Sequence, residues 1–341
     1  MKIHRTLSLL FFSSAALWAQ GTTVIVGAPP PRPNIIFIMA DDYGIDNVGA
    51  YGSDLFAETT PNIDRLASEG MMFTDAYCHP KCGPSRAAYY TGQYPFRNGT
   101  MGKSEIAGVK SVHDQRPNLV AMLNSTGYTT GTFGKAETDY FDEVLNTANG
   151  QDFYRTDLYY RLDGVETPLT YDAPTFAPTI AIDYVLDFLQ RNHGQPFYLD
   201  VELNMPHVPW QASPDFLREK NFPWIHPTED RLDLDGYIAA NPTKGLDDLL
   251  QETEGLGQTF DKETIYADMN EHIDGYVGQI LAKVEELGIA ENTLIIFTGD
   301  NGSLVPGTKP NVWDPASESY RRLDGAKDQY GDAGGLVPFI V

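Results

Sequence analysis

The feature of this sequence that most constrains its fold is a repeated alternation of strand-like and helix-like segments. Residues 34–40 and 293–298 are almost continuously apolar, as expected of strands that are buried on both faces. Segments with helical periodicity separate them from further predicted strands. In chain order, we predict helices at 60–70, 117–126, 180–190 and 266–284 and strands at 128–133 and 196–203. This alternation predicts an α/β fold, a three-layer sandwich in which helices flank a mostly parallel central sheet.

Two long segments interrupt the alternation, at about 140–178 and 211–262. Both are rich in proline, aspartate and aromatic residues. We expect them to be insertion loops over one end of the sheet, where loops that select a substrate commonly lie. Residues 34–341, including these two segments, are predicted to form one α/β domain that is large enough to carry a catalytic site.

The N-terminus has the features of a secretory signal peptide. Lys2 and Arg5 precede the apolar stretch 7–12, and the segment 1–19 is too short to span a membrane. A flexible leader rich in glycine and proline follows at 20–33. We therefore expect an exported protein, secreted or periplasmic, with no membrane span in the mature chain.

Composition excludes two classes of protein. The formal net charge is −23 and the sequence contains no basic stripe, which argues against nucleic acid as a partner. Two cysteines in 341 residues exclude a disulfide-stabilised scaffold. Stability must therefore come from a conventional apolar core.

Acidic and amide side chains follow two of the predicted strands. Asp41 and Asp42 come directly after the first strand, and Asp300 and Asn301 follow the strand at 293–298. Ligands bind at the carboxyl ends of strands in open α/β sheets, so these side chains are expected to meet in one crevice. Their oxygen donors suit Ca²⁺ or Mg²⁺ rather than zinc. The alternative is that they only cap helices and form turns.

A cysteine stands at a predicted helix start. In the run from Cys82 to Gly92, Pro84 is typical of a first helical turn and Gly92 of a helix end. Cys82 would then lie at a helix N-terminus, where unpaired N–H groups attract anions. Two alternatives remain: a disulfide between Cys78 and Cys82, or a cysteine that is simply buried.

Several sequence blocks resemble those of type I sulfatases, which belong to the alkaline-phosphatase-like superfamily. The run Cys82 to Arg86 has the form C-x-P-S-R of the family's modification signal. The other blocks occur in family order and are residues 36–44, 60–67, 73–77, 133–135 and 297–302. The resemblance extends from residue 34 to 341 and lacks the family's C-terminal subdomain, which suggests that the sequence is a fragment.

The resemblance implies a modified nucleophile and a metal. Cys82 would be converted by a formylglycine-generating maturation enzyme into formylglycine (3-oxoalanine), whose hydrate attacks the sulfate ester. Asp41, Asp42, Asp300 and Asn301 would bind a calcium ion together with the modified Cys82.

The resemblance also assigns the cations of the site. Arg86 would hold the formylglycine hydrate, Lys135 and Lys327 would hold the sulfate oxygens, and His207 would lie near the leaving group. In the alternative view the lysines are solvated surface charges and His207 fills a turn. The sequence by itself favours the surface position for Lys327.

Two blocks depart from the family pattern. The family often has G-K-W-H where this chain has Gly134 to Glu137, so Glu137 replaces a histidine that usually contacts the nucleophile. We hypothesise that Glu137 takes a proton from the formylglycine diol. The block at 333–338 resembles E-G-G-x-R-V-P but lacks both the acid and the arginine.

These observations predict an exported, calcium-dependent sulfatase that hydrolyses a sulfate ester, most plausibly on a carbohydrate. One alternative is a phosphonate or phosphodiester hydrolase of the same superfamily. Another is a non-catalytic binding protein that retains the fold and the metal.

Overall fold

The structure is a computed structural model that describes residues 32–100, 118–135, 140–147, 153–259, 262–304, 311–314 and 319–341. Pro33–Val341 form a compact unit, and the predicted signal peptide and nearly all of the predicted leader lie outside the described residues. The strands are β1 (Asn34–Ala40), β2 (Thr129–Gly134), β3 (Glu143–Asn146), β4 (Tyr154–Leu162), β5 (Val165–Phe176), β6 (Phe197–Leu203), β7 (Thr293–Gly299), β8 (Asn311–Asp314), β9 (Ser319–Arg322) and β10 (Phe339–Ile340). The α-helices are α1 (Pro61–Glu69), α2 (Cys82–Thr91), α3 (Pro95–Asn98), α4 (Leu119–Ser125), α5 (Ala177–Asn192), α6 (Pro214–Glu219), α7 (Leu234–Ala240), α8 (Leu246–Thr259), α9 (Lys262–Glu286) and α10 (Asp332–Gly335).

The described residues contain an eight-stranded sheet in the order β10-β7-β1-β6-β2-β3-β4-β5. Its five central strands, β7 to β3 in this order, run parallel to one another. β10 pairs antiparallel with β7 at one edge, and the β4–β5 hairpin pairs antiparallel with β3 at the other. The predicted α/β fold with a mostly parallel sheet is confirmed.

Alternate side chains of the central strands enter two separate apolar layers. Ile36 and Ile38 of β1 pack in a cluster with residues of α1, α5 and α9. Phe37 and Met39 point the other way and pack with Tyr90 of α2 and with α4. The sheet is therefore buried on both faces, which explains why its strands are continuously apolar. Among the described residues, no helix is both long enough and apolar enough to cross a bilayer.

The two segments expected to be insertion loops contain regular structure. Residues 140–178 include β3, β4 and β5, and residues 211–262 include α6, α7 and α8. A left-handed turn at Asp163 and Gly164 joins β4 to β5. The distal part of this hairpin is solvent-exposed, so its side chains need not alternate between apolar and polar, and the strand pattern is lost from the sequence.

The register of the parallel strands places the ends of three of them side by side. Ala40 of β1 lies opposite both Leu203 of β6 and Gly299 of β7. The residues that follow, Asp41 and Asp300 among them, therefore leave the sheet at the same level. This carboxyl edge is where ligands bind in open α/β sheets.

The N-terminus of α1 is capped by a side chain from another helix. Thr60 occupies the N-cap position of α1, yet its side chain makes no capping bond. Instead, Asp274 of α9 accepts the backbone N–H groups of Asn62 and Ile63 at 2.9 and 2.8 Å. The orphan N–H groups of the first turn are thus satisfied across the helix–helix contact.

We predict that Asp274→Ala lowers the free energy of unfolding by about 2–3 kcal/mol, because it leaves buried N–H groups without an acceptor. Urea unfolding followed by circular dichroism measures the change. Asp187→Ala is the control: Asp187 forms an exposed ion pair with Arg191, and its loss should change stability by about 0.5 kcal/mol or less. Equal effects of the two substitutions would contradict a capping role for Asp274.

Candidate active site

Two strand ends carry the acidic part of the site. Asp41 follows β1 and Asp300 follows β7, and the Asp300 N–H donates to the Ala40 carbonyl at 3.1 Å. Asp42 adopts a left-handed backbone conformation, with φ of 65°. This turn lets the Asp42 N–H donate to Asp300 Oδ1 at 3.0 Å, while Asn301 Nδ2 donates to Asp42 Oδ1 at 2.9 Å. Asp42, Asp300 and Asn301, three of the four predicted metal ligands from the strand ends, are therefore joined by hydrogen bonds, and Asp41 is the residue that directly precedes Asp42.

Cys82 is the first residue of α2, as the sequence predicted for a helix N-terminus. The helix begins at Cys82, with Lys81 at the N-cap position, and ends at Gly92 in the left-handed conformation. Both cysteines are free thiols, so the alternative of a Cys78–Cys82 disulfide is wrong. Burial raises the pKa of the Cys82 thiol, which leaves little thiolate at neutral pH. Unmodified Cys82 would therefore be a weak nucleophile.

The donor atoms of this cluster fit a hard cation. One atom each from Asp41, Cys82 and Asp300 lies within 4.8 Å of the others, and the same holds for Asp41, Asp42 and His207. Asp41 Oδ1, Asp42 Oδ2 and Asn301 Oδ1 are buried and have no hydrogen-bond partner among the described residues. Buried oxygens without partners are costly unless a ligand satisfies them, and oxygen donors suit Ca²⁺ or Mg²⁺.

Arg86 lies one helical turn after Cys82 and is fully buried. Its Nε atom donates to Asp300 Oδ2 at 2.9 Å. Its Nη2 atom forms an ion pair with the same oxygen at 2.8 Å and lies 3.9 Å from Asp41 Oδ1. On the opposite side, Nη1 forms an ion pair with Glu202 of β6. Both oxygens of Asp300 accept hydrogen bonds. Burial and the nearby Asp41 raise the pKa of Asp300 well above its ordinary value, and the contact with Arg86 opposes this rise.

Two lysines complete the positive side of the site. Lys135 Nζ contacts Asp41 Oδ2 and Lys327 Nζ contacts Asp42 Oδ1, both at 2.6 Å. Burial by itself raises the pKa of Asp41, but Lys135 and Arg86 outweigh it and hold that pKa below its ordinary value. Burial lowers the pKa of Lys327, but Asp42 and Asp41 raise it overall, so the ammonium stays charged. Lys327 is therefore part of the site, and its interpretation as a surface charge is wrong.

His207 follows β6 at the same edge of the sheet and is buried. Its Nδ1 lies within hydrogen-bond distance of the Val208 carbonyl, which can only accept, so Nδ1 carries a hydrogen. The other ring nitrogen, Nε2, points toward the cluster and lies 3.8 Å from Asp42 Oδ2. This leaves Nε2 as the atom that can exchange a proton with a ligand.

The structure brings together the predicted site residues that it describes. These are Asp41, Asp42, Cys82, Arg86, Lys135, His207, Asp300, Asn301 and Lys327. Glu137 lies outside the described residues, so its hypothetical role as a base stays a prediction. Sequence reasoning missed Glu202, the partner of Arg86, and its neighbour Asp200. Two acids in an otherwise apolar strand were the signal that could have identified them.

Solved structures share this architecture. One, determined in complex with its substrate D-glucosamine-2-N,6-O-disulfate, has a TM-score of 0.63 and 22% identity; the match covers 91% of this chain and 70% of that one. Another, Ps i-CgsB in complex with k-i-k-neocarrahexaose, also has a TM-score of 0.63, with 26% identity and coverage of 91% and 65%. The fold is that of the alkaline-phosphatase-like superfamily.

Within that superfamily, the family model described as Sulfatase matches residues 33–341. The chain therefore belongs to the sulfatase family. N-acetylgalactosamine-6-sulfatase of Canis lupus familiaris is 29% identical over 335 residues, which are 86% of this chain and 53% of the relative. Arylsulfatase G of Mus musculus is 28% identical, covering 80% and 52%, and steryl-sulfatase of Rattus norvegicus is 29% identical, covering 87% and 60%. The chain spans about half the length of these curated relatives.

Proposed function

We propose that this protein is a sulfatase, a hydrolase of sulfate esters, and that its substrate is a sulfated carbohydrate. The observation that carries the proposal is the set of three cations beside Cys82 at one helix N-terminus, namely the buried Arg86 and the partly buried Lys135 and Lys327. Such a concentration of positive charge suits a small oxyanion such as a sulfate group. Membership of the sulfatase family supports the same activity.

The carbohydrate part of the proposal has support of its own. The Canis lupus familiaris relative is named for a sulfated amino sugar, and Ps i-CgsB was solved with an oligosaccharide. The steryl-sulfatase relative is named for a different alcohol, so the names of the relatives do not agree on the leaving group. A panel of substrates must therefore include both kinds of ester.

We propose that Lys135 and Lys327 bind the oxygens of a sulfate group. Attack at sulfur moves negative charge toward the leaving oxygen, so an ammonium group that reaches this oxygen would stabilise the transition state more than the ground state. The desolvated surroundings strengthen this effect, because the lysines are largely removed from water. We propose that Arg86 holds the side chain of residue 82, which lies one helical turn before it.

The remaining chemistry requires groups that the chain would acquire. We propose that a maturation enzyme converts Cys82 to formylglycine, whose hydrated aldehyde supplies the attacking oxygen. We further propose that Asp41, Asp42, Asp300 and Asn301 hold Ca²⁺ together with residue 82, where the ion would act as a Lewis acid on the sulfate. The partnerless buried oxygens described above support this assignment.

Cys82→Ala tests the activity and the modification together. The protein, coexpressed with a maturation enzyme, should lose sulfur and two hydrogens and gain one oxygen at residue 82, as read by mass spectrometry. It should desulfate one of a panel of sulfated sugars, steryl sulfates and aryl sulfates. Cys82→Ala should be at least about 10³-fold slower. Turnover of phosphonate or phosphate diesters instead would favour the alternative hydrolase, and no turnover of any ester by modified protein would favour a binding protein.

Chelation tests the metal. Because the donors are oxygens, EGTA should remove the activity, and Ca²⁺ should restore it better than Zn²⁺. Calorimetric titration of the chelated protein should show one Ca²⁺ site that Asp300→Ala abolishes. Asp187→Ala removes an exposed carboxylate elsewhere and serves as the control. Full activity after exhaustive chelation would contradict the calcium proposal.

His207→Ala tests protonation of the leaving group. We propose that Nε2 donates a proton to the departing alcohol, because a sugar hydroxyl is a poor leaving group without one. The substitution should slow a sugar sulfate by about 10²–10⁴-fold and a nitrophenyl sulfate much less, since nitrophenolate leaves without a proton. Steady-state kinetics on both esters gives the comparison. Equal losses on the two substrates would assign His207 to binding instead.

A further inference from the structure

A buried polar path leads from Arg86 away from the metal-binding cluster and into the layer between the sheet and α2. Glu202 Oε2 pairs with Arg86 Nη1, and Glu202 Oε1 accepts a hydrogen bond from the Tyr90 hydroxyl at 2.8 Å. The same hydroxyl contacts Asp200 Oδ2 at 2.7 Å. All four side chains are 1% exposed or less. Neither carboxyl group is used in the function proposed above.

The periodicities of a helix and a strand bring these side chains together. Cys82, Arg86 and Tyr90 are spaced four residues apart on α2, so they share one face of the helix. Asp200 and Glu202 are two residues apart on β6, so they share the face of the strand that packs against α2. The guanidinium therefore lies between the nucleophile position and the buried acids.

The Tyr90 hydroxyl links the two buried acids. It donates toward both Asp200 Oδ2 and Glu202 Oε1, so it holds the two side chains side by side. Burial and the neighbouring Glu202 raise the pKa of Asp200 well above its ordinary value. Glu202, in contrast, is paired with the Arg86 guanidinium.

We propose that Glu202 is a positioning residue, which holds the Arg86 guanidinium in the orientation that it presents to residue 82. Asp300 and Glu202 bind the guanidinium from opposite sides, and Tyr90 fixes Glu202 in turn. Without Glu202, the guanidinium loses its acceptor on the side away from Asp41 and Asp300, and the attraction of these two carboxylates is no longer opposed by Glu202. The predicted effect on kcat rests on the proposed sulfatase function, whereas the predicted effect on the position of the Arg86 guanidinium does not.

Glu202→Gln and Glu202→Ala test the proposal, with Glu143→Gln as a matched control. Glu143 is also a buried strand glutamate, 2% exposed, that accepts bonds from a tyrosine, Tyr160, and an arginine, Arg191. It lies on β3, toward the far side of the sheet. All variants are made in full-length protein and compared by thermal unfolding, so that a general loss of stability is measured separately.

For positioning, kcat should fall about 10-fold in Glu202→Gln and about 100-fold in Glu202→Ala, with KM changed by less than about threefold. Glu143→Gln should keep the parental kcat even if it unfolds at a lower temperature. Crystal structures of the proteins with unmodified Cys82 should show the Arg86 guanidinium displaced in Glu202→Ala and close to its parental position in Glu202→Gln.

An unmoved guanidinium in both Glu202 variants would overturn the proposal, as would a parental kcat in Glu202→Ala. The proposal would also be wrong if kcat fell in proportion to the loss of melting temperature, and by the same proportion in the Glu143 and the Glu202 variants. If the parent protein hydrolyses no sulfate ester, the proposed function fails, while the position of Arg86 in the crystals still decides this inference. Should Glu202→Ala fail to fold, the kcat of Glu202→Gln decides in its place, and a parental kcat in that variant overturns the proposal.

Discussion

The site and the strand ends around it are organised by the need to balance the charge of one buried cation, Arg86. Arg86 is removed from water, and a guanidinium in that state must be matched by carboxylates. Its partners Asp300 and Glu202 belong to the ends of β7 and β6, and Asp41 of β1 is nearby. These strands are neighbours in the sheet, so one side chain of α2 joins the ends of three strands. The helix that carries Cys82 is thereby fixed relative to the acidic cluster.

Much of the fold and of the site could be predicted because the relevant signals are local. Strands buried on both faces must be apolar throughout, so β1 and β7 are evident from a few consecutive residues. Parallel pairing then brings their carboxyl ends together without any knowledge of distant contacts. That is why Asp41 and Asp300 could be placed in one crevice before their distance was known.

Features that depend on partners distant in sequence were not predictable. Arg86 and Glu202 are separated by 116 residues. A glutamate inside a strand is normally expected to be exposed, and the sequence does not show which distant cation would allow it to be buried. The capping of α1 by Asp274 is a contact of the same kind. The N–H groups of the first turn are bound by a side chain from another helix and not by the local N-cap residue, Thr60. The β4–β5 hairpin was missed for a different reason, because a partly solvated edge carries no strict alternation.

Lys135 and Lys327 contact Asp41 and Asp42, and these contacts affect whether the chain must bind a metal before it can fold. Each carboxylate has an ammonium counter-ion supplied by the chain itself, so the charge cluster does not need a metal to hold it together. In small zinc domains, by contrast, metal binding and folding are a single event. Here the polypeptide can complete its core first, and binding of the proposed ion would be a later equilibrium that is set by the ion content of the surrounding medium.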